Sequence, residues 1–255
     1  MFESLIRGYI ISSDKTIDRL PSVVSTMKGL QVSYEIISSF DQAYLVQNHF
    51  INPLNKDIWI ERTKHIAPVL LANTIRSQLQ YDDKLAIAKN IDYTSVPFLS
   101  YRELTNGEIS VNMKHYSALI SIALSSSKYG LILEDDVLLN DSSFGLFSSA
   151  LSDLEELDGD YLDLAGGAGL LPDVLEQSDR SNIVLMRPAR TRTNAAYVVS
   201  KQLAISLSQI YFPFVFPIDW HLQYLMQITP LSCYWAIEKP LIHGSESGSF
   251  TSWRD

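Results

Sequence analysis

Cysteine is nearly absent from this chain of 255 residues, because Cys233 is the only one. A single cysteine cannot form an intramolecular disulfide, and it cannot supply a thiolate cluster for zinc. The sequence therefore favours a reducing, cytoplasmic setting in which Cys233 is an inert packed thiol.

Long hydrophobic runs are missing as well. The longest nearly apolar stretch, residues 204–218, is too short to span a bilayer and contains Pro213 and Pro217. Residues 1–15 have too short an apolar core for a signal peptide and no small-residue cleavage site. We expect no transmembrane segment, and peripheral membrane contact stays open.

Basic residues are outnumbered, with 20 Lys and Arg against 29 Asp and Glu and a net charge of −9. Binding to a nucleic-acid backbone needs clustered Lys and Arg, so we expect no nucleic-acid partner. An anionic substrate would need a metal or local positive charge to offset this field. A nicotinamide cofactor is not expected either, because Pro172 stands where the last glycine of G-x-G-x-x-G should follow residues 166–169.

The elements that are present alternate between strand and helix, which is typical of an α/β fold with a mostly parallel sheet flanked by helices. We treat residues 1–255 as a single domain in which residues 41–104 are a variable, insertion-like region. That region either shapes a substrate-specific surface or is structural padding. The predicted strands are 8–12, 34–39, 131–133, 161–164, 183–186 and 195–199, and the predicted helices are 70–79, 84–90, 106–126, 143–157, 201–211 and 219–228, with one more after an N-cap at Asp18.

The helix over residues 106–126 has the clearest signals. Thr105 and Glu108 have the T-x-x-E spacing of a capping box. Apolar residues recur at helical spacing on two faces, so we expect this helix to be buried on two sides. It leads directly into the next strand.

That strand, Leu131-Ile132-Leu133, ends in Glu134-Asp135-Asp136. Three adjacent carboxylates resist burial unless a cation lies among them, and hard oxygen ligands suit Mg²⁺, Mn²⁺ or Ca²⁺. The alternative is a solvated acidic turn. Because strand side chains alternate in direction, Glu134 and Asp136 are expected to face a ligand together, with Asp135 pointing elsewhere.

Four stretches carry a resemblance to a known family. They are residues 10–19 (IISSDKTIDR), 104–109 (LTNGEI) with His115 further on, 131–137 (LILEDDV), and 194–200 (NAAYVVS) followed by 217–220 (PIDW). In order and spacing they resemble glycosyltransferase family 25, the lipopolysaccharide-biosynthesis type that includes collagen galactosyltransferases. The chain departs from the family pattern at Ser12, where Asn is usual, and at Lys114, where Ser is usual.

The resemblance implies a GT-A fold, a nucleotide-sugar donor, a divalent metal (Mn²⁺ or Mg²⁺) and inverting transfer. It implies metal ligation by Asp136 with Glu134 and His243, and a general base at Asp219. It implies donor binding by Ser12, Arg19, Glu134, Asp135, Thr193 and Asn194.

Several of these residues have a plainer interpretation. Asp219 after a proline suits a helix N-cap, and Arg19 could be a surface residue paired with Asp14 or Asp18. His115 inside an apolar helix is more often a core histidine than a ligand. Three arginines, Arg187, Arg190 and Arg192, either offset a diphosphate charge or are solvated.

The function expected is transfer of a hexose, galactose being the family's usual donor sugar, from a UDP-sugar to a glycan acceptor. The alternative from another class is a catalytically inactive glycan- or metal-binding protein with the same fold. A metal-dependent phosphohydrolase would need ligands from more strands than the sequence offers.

Overall fold

The computed structural model describes residues 4–48, 56–75, 79–140, 142–171 and 182–250. In these ranges seven strands form one sheet in the order β2-β1-β3-β7-β5-β8-β6, and β4 pairs with β9 in a small second sheet. The strands are β1 (Ile6–Ile11), β2 (Tyr34–Ile37), β3 (Tyr129–Glu134), β4 (Val137–Leu139), β5 (Tyr161–Asp163), β6 (Ile183–Leu185), β7 (Ala196–Ser200), β8 (Cys233–Ala236) and β9 (Leu241–His243).

In the large sheet, β6 and β7 run against the other strands, which all point one way. The predicted α/β class with a mostly parallel sheet flanked by helices is therefore confirmed. The helices are α1 (Leu20–Gly29), α2 (Gln42–Gln47), α3 (Lys56–Thr74), α4 (Tyr81–Ala88), α5 (Asn106–Leu124), α6 (Ser143–Glu156), α7 (Lys201–Ile210) and α8 (Ile218–Ile228), with short 3₁₀ helices at Asp14–Arg19, Tyr93–Ser95 and Pro97–Leu99.

Helices cover both faces of the sheet. Ile132 of β3 packs in the cluster that includes Met113 of α5, while the adjacent Leu131 packs in a second cluster with Met27 of α1 and Phe147 of α6. This alternation explains why the central strands are apolar on both sides, since neither face reaches water. Polar side chains can therefore reach solvent mainly where the strands end.

Helix α5 matches its prediction closely because its signals are local. Thr105 accepts a hydrogen bond from Glu108 N–H, and the Glu108 carboxylate accepts one from Thr105 N–H, which completes the capping box. Ser200 is likewise confirmed as the N-cap of α7.

The starts of α1, α3, α4 and α8 differ from the prediction. Asp18 lies inside the 3₁₀ helix, Arg19 is the N-cap residue of α1, and Pro21 lies in its first turn. The helix predicted at residues 70–79 corresponds to the end of α3, which runs from Lys56 through Pro68 to Thr74, and residues 76–78 of that prediction lie outside the described ranges. The missing N–H of Pro68 is tolerated since α3 buries apolar residues on either side of it, including Ile66 and Leu71.

Candidate active site

The carboxyl ends of β1 and β3 meet at one edge of the sheet. The two strands are parallel neighbours and Ile11 pairs with Glu134, so Ser12 and Asp135 leave the sheet side by side. β7 runs the other way, and its N-terminal end reaches the same edge, where Glu134 N–H donates to the Ala195 carbonyl at 2.8 Å. Ligands of open α/β sheets bind beyond this edge.

The middle acid, Asp135, faces the connection between β1 and α1. It accepts a hydrogen bond from Thr16 Oγ1 and lies 3.7 Å from the guanidinium of Arg19. Burial raises the pKa of the Asp135 carboxyl to about 6. The neighbouring carboxylates add to this rise, whereas the Thr16 hydrogen bond and the Arg19 charge oppose it. Asp135 therefore holds Arg19 and Thr16 at the edge of the sheet.

The other two acids converge on a histidine. Glu134, Asp136 and His243 each bring one ligand atom to within 4.8 Å of the others. His243 Nε2 lies 3.2 Å from Asp136 Oδ2, which also accepts a hydrogen bond from Ser245 Oγ. Asp136 Oδ1 is buried and has no hydrogen-bond partner among the described residues. A buried carboxylate oxygen without a partner costs free energy that a bound cation would offset.

Charge couples the two members of this pair. Burial lowers the pKa of His243, but the hydrogen bond and charge of Asp136, with Glu134 and Glu246 behind them, raise it above its ordinary value. For Asp136 the effects are reversed, because burial raises the pKa of its carboxyl. The hydrogen bond and charge of His243, together with hydrogen bonds from Ser245, lower that pKa below its ordinary value. The site thus stabilises positive charge beside Asp136, whether it is a proton on His243 or a cation in its place.

The β4–β9 ladder sets the position of His243. Val137 pairs with His243, and Gly244 N–H donates to the Asp136 carbonyl at 2.8 Å. A Cβ at Gly244 would lie 2.4 Å from that carbonyl oxygen. Only glycine allows the two segments to approach this closely.

Glu134 is oriented by a fully buried histidine of α5. His115 Nε2 lies 3.2 Å from Glu134 Oε1, and His115 Nδ1 lies 2.9 Å from the Tyr197 hydroxyl. The pKa of Tyr197 is raised well above its ordinary value, first by burial and then by the charges of Glu134 and Asp219. We assign the Tyr197 hydroxyl as the donor to His115 Nδ1. The other ring nitrogen, Nε2, then carries the hydrogen and donates to Glu134. His115 is confirmed as a buried core histidine, and it contacts Glu134, which is a candidate metal ligand.

Asp219 lies at the same edge, in the first turn of α8. Its carboxylate Oδ1 accepts a hydrogen bond from Asn194 N–H at 3.2 Å, just before β7. Asp219 is not the N-cap, because the helix begins at Ile218 and Pro217 is the N-cap residue. The capping interpretation of Asp219 is therefore wrong, and its carboxylate points at the start of β7.

Two residues predicted to bind the donor carry buried polar atoms. Ser12 Oγ and both side-chain amide atoms of Asn194 have no hydrogen-bond partner within the described part of the chain. Thr193 Oγ1 instead donates to the Gly166 carbonyl at 2.6 Å and fixes the turn after β5. In that turn Gly166, Gly167, Ala168 and Gly169 all have positive φ, so the glycine-rich segment is a tight left-handed turn.

The exposed alternative is wrong for Arg19, Arg190 and Arg192, whereas Arg187 is exposed as the solvated alternative has it. Arg19 is buried, with its guanidinium carbon 5.1 Å from the centre of the Phe250 ring, so the surface interpretation is wrong. Arg192 is also buried and donates to Asp163 Oδ1 at 2.6 and 3.0 Å. Arg190 lies 3.4 Å from the centre of the Tyr81 ring. Neither Arg190 nor Arg192 is solvated.

Sequence reasoning missed Thr16, Tyr197 and Ser245 as parts of the site. Thr16 contacts Asp135, Tyr197 contacts His115, and Ser245 contacts Asp136. Each contact joins residues far apart in the sequence, so no local spacing indicates it. Ser245 had one weak signal, its place two residues after His243. Cys233, by contrast, is buried as predicted, and burial raises the pKa of its thiol to about 12.

A family model described as glycosyltransferase family 25 (LPS biosynthesis protein) matches residues 6–166, which is more than half of the chain. The chain belongs to glycosyltransferase family 25. In this family 25 glycosyltransferase, the matched part contains Ser12, Arg19 and the acids at 134–136. Asn194, Asp219 and His243 lie beyond it.

Comparison with curated proteins finds no match to this family 25 enzyme. Among solved structures it is similar to "UDP-glucose pyrophosphorylase from acinetobacter baumanii", with 12% identity over 96% of this chain and 90% of that chain and a TM-score of 0.49. A likeness at this identity and TM-score supports no conclusion about the site. No helix in the described ranges is long and apolar enough to cross a membrane.

Proposed function

We propose that this family 25 glycosyltransferase moves a hexose, galactose first among the candidates, from a UDP-sugar to a glycan hydroxyl with inversion at the anomeric carbon. Synthesis of lipopolysaccharide or another surface glycan is the setting we infer, within a single domain of GT-A type in the cytoplasm. The observation that carries the proposal is the convergence of Glu134, Asp136 and His243 beyond β3, where one Asp136 oxygen is buried without a partner among the described residues.

The donor set fits a divalent metal. Two carboxylates and one imidazole within 4.8 Å of one another suit Mn²⁺ or Mg²⁺ better than a soft metal. When bound there, the ion would offset the negative charge that develops on the diphosphate leaving group. His115 would support it indirectly, since its hydrogen bond orients Glu134.

The rest of the donor site follows from the same edge of the sheet. Ser12 and Asn194 offer buried polar atoms to the nucleotide sugar. Arg19 offers a cationic group from the β1–α1 connection, beside the Asp135 carboxylate that also accepts the Thr16 hydrogen bond. Thr193 is less direct, since its hydroxyl is occupied by the Gly166 carbonyl and fixes the chain before Asn194.

Asp219 is the proposed general base. The acceptor oxygen would form its bond to the anomeric carbon while the bond to the diphosphate oxygen breaks. The acceptor proton would pass to the Asp219 carboxylate. Asn194 N–H, 3.2 Å from Oδ1, would keep that carboxylate oriented toward the site.

Thermal stability against UDP and a panel of UDP-sugars, with and without Mn²⁺, tests the donor site. A ligand at a hundred times its Kd should add about 2.7 kcal/mol to the free energy of unfolding. We expect stabilisation by one UDP-sugar, dependent on the metal and absent in Asp136→Asn. The matched control is Asp158→Asn, an exposed aspartate whose partner is Lys128 rather than the site.

The proposal fails if no UDP-sugar stabilises the protein in the presence of Mn²⁺. It fails equally if Asp136→Asn and Asp158→Asn respond alike, because the metal would then be bound elsewhere. Inversion would be established if NMR of the product shows that the sugar transferred to the glycan hydroxyl has the opposite anomeric configuration to that in the UDP-sugar.

A further inference from the structure

An aromatic cleft of about 370 Å³ opens at the start of α8, the helix that carries Asp219 in its first turn. Its lining includes Trp59, Phe98, Tyr101, Arg102, Phe216 and Trp220. The volume falls within the range of about 300 to 1,000 Å³ that is usual for small-molecule sites.

The cleft is built jointly by the region 41–104 and the entry of α8. Phe98 and Tyr101 come from the segment before α5, and Trp59 comes from α3. Trp220 is the residue after Asp219 in the first turn of α8. The region that the sequence left as either a specificity surface or padding therefore forms one wall of this cleft.

The rings in the cleft are fixed by edge contacts. Trp59 lies 5.9 Å from both Tyr101 and Phe216, and Phe98 lies 6.1 Å from Trp220, each measured between ring centres at steep angles. Such contacts hold the rings while leaving faces for a ligand. Phe98 is 47% exposed, which is a large apolar surface for a residue with this packing.

The polar groups at the rim define the ligand class. Arg102 donates to both Glu108 oxygens, at 2.7 and 2.5 Å, so its charge is already offset. A diphosphate would find no uncompensated charge on Arg102. Aromatic faces carry partial negative charge that attracts polarised C–H bonds, and the Arg102–Glu108 pair and Ser100 can exchange hydrogen bonds with hydroxyls.

We propose that this cleft binds a neutral sugar ring of the acceptor glycan, stacked on Phe98 and Trp220, with its reactive hydroxyl directed toward Asp219. This assignment rests on the proposed function for the acceptor role. The binding of a sugar ring itself is independent of it. The region 41–104 then determines which acceptor the enzyme accepts.

Saturation-transfer NMR with methyl β-galactoside and methyl β-glucoside as probes tests the cleft, with octanol as an apolar probe. We expect saturation of the ring protons of a hexoside, and about tenfold weaker binding in Phe98→Ala and in Trp220→Ala. Phe212→Ala is the matched control, because Phe212 is also 47% exposed and does not line the cleft. Thermal stabilisation by UDP with Mn²⁺ is measured in parallel on every variant.

The proposal is overturned if hexoside binding is unchanged in Phe98→Ala and Trp220→Ala, or if octanol alone occupies the cleft. Lack of binding by either hexoside also counts against it. If hexosides bind at the cleft but UDP and Mn²⁺ do not stabilise the wild-type protein, the sugar site stands and the proposed transfer fails. If UDP and Mn²⁺ stabilise all variants and hexosides ignore the cleft, only the acceptor assignment fails.

Discussion

His243 Nε2 lies 3.2 Å from Asp136 Oδ2. Asp136 lies between β3 and β4, and His243 is the last residue of β9, which pairs with β4. The match to family 25 ends at residue 166, so it contains Asp136 but not His243. The candidate metal site is thus completed by a part of the chain that the family model does not cover.

Replacing His243 tests that completion. His243→Gln should weaken Mn²⁺ binding by about tenfold or more, because one of three candidate ligands loses its imidazole. Calorimetric titration of Mn²⁺ in the presence of UDP measures the change. His65→Gln, at an exposed histidine of α3, is the control. Equal Mn²⁺ affinity in the two variants would remove His243 from the ligand set.

Asp219→Asn separates catalysis from binding. The amide keeps an oxygen for the Asn194 N–H but cannot take the acceptor proton, so kcat should fall by about 10² to 10⁴-fold. The KM for the UDP-sugar should stay within a few-fold of the wild-type value. Steady-state kinetics with a fixed glycan acceptor decide the matter. A variant with kcat close to wild type would require another base.

Lys114 provides a prediction about stability. Its side chain is 1% exposed, donates to the Ser12 carbonyl at 2.6 Å and pairs with Asp41, whose side chain is 12% exposed. Lys114→Met leaves the Asp41 carboxylate buried without its partner, which should cost about 3 to 5 kcal/mol in urea unfolding. The exposed pair Arg7–Glu35 is the control, and Arg7→Met should cost less than about 1 kcal/mol.

A double variant sharpens this test. Adding Asp41→Asn to Lys114→Met removes the buried charge and should restore a large part of the lost stability. If the double variant is as unstable as the sum of the two single ones, the pair contributes through packing rather than charge. Either result measures how the buried Lys114 joins α5 to the end of β1 and the start of α2.

The elements that the sequence predicted well are those whose signals are local. The capping box at Thr105 and Glu108 begins α5 at its predicted residue, and the apolar run of β3 needs no distant partner to be recognised. Glu134 and Asp136 face His243 while Asp135 faces Arg19, as the alternation along a strand predicts.

The failures have a common cause in tertiary contacts. The predicted helix over residues 70–79 missed the first part of α3, which stays continuous through Pro68 because its apolar face is buried. The strands β4 and β9 were not predicted, and their pairing with each other defines them. The solvated alternative for Arg192 failed because its partner Asp163 lies on β5, far from it in the sequence.

His221 supplies a pH-dependent prediction away from the candidate ligands. Burial, followed by the charge of Arg62, lowers the pKa of this fully buried histidine to about 3. The unfolded chain takes up this proton below about pH 6.5, whereas the folded protein does so only near pH 3. The stabilising effect is therefore complete above pH 6.5 and is lost by about 1.4 kcal/mol per pH unit as the pH falls toward 3.

Urea unfolding of the wild type and His221→Gln between pH 4.5 and 7.5 isolates this effect. Gln can still donate to the Tyr211 carbonyl that His221 Nε2 contacts at 2.9 Å, so the variant should lose the acid-dependent slope and keep the fold. His65→Gln should keep the wild-type slope. The raised pKa of Asp135 acts in the opposite direction and cancels in the comparison. Parallel curves for the wild type and His221→Gln would show that His221 is protonated in the folded state.

The pairing of β4 with β9 also decides when the candidate ligands come together as the chain folds. Closure of a loop between positions so far apart is an entropically unfavourable step, and it precedes the contact between Asp136 and His243. A partly folded chain that has formed β3 but not the β4–β9 pair presents the acidic residues without the His243 imidazole beside them. A ligand that needs all three groups therefore binds only the fully folded protein. Its binding should protect amide hydrogens from exchange throughout the sheet rather than only near the site.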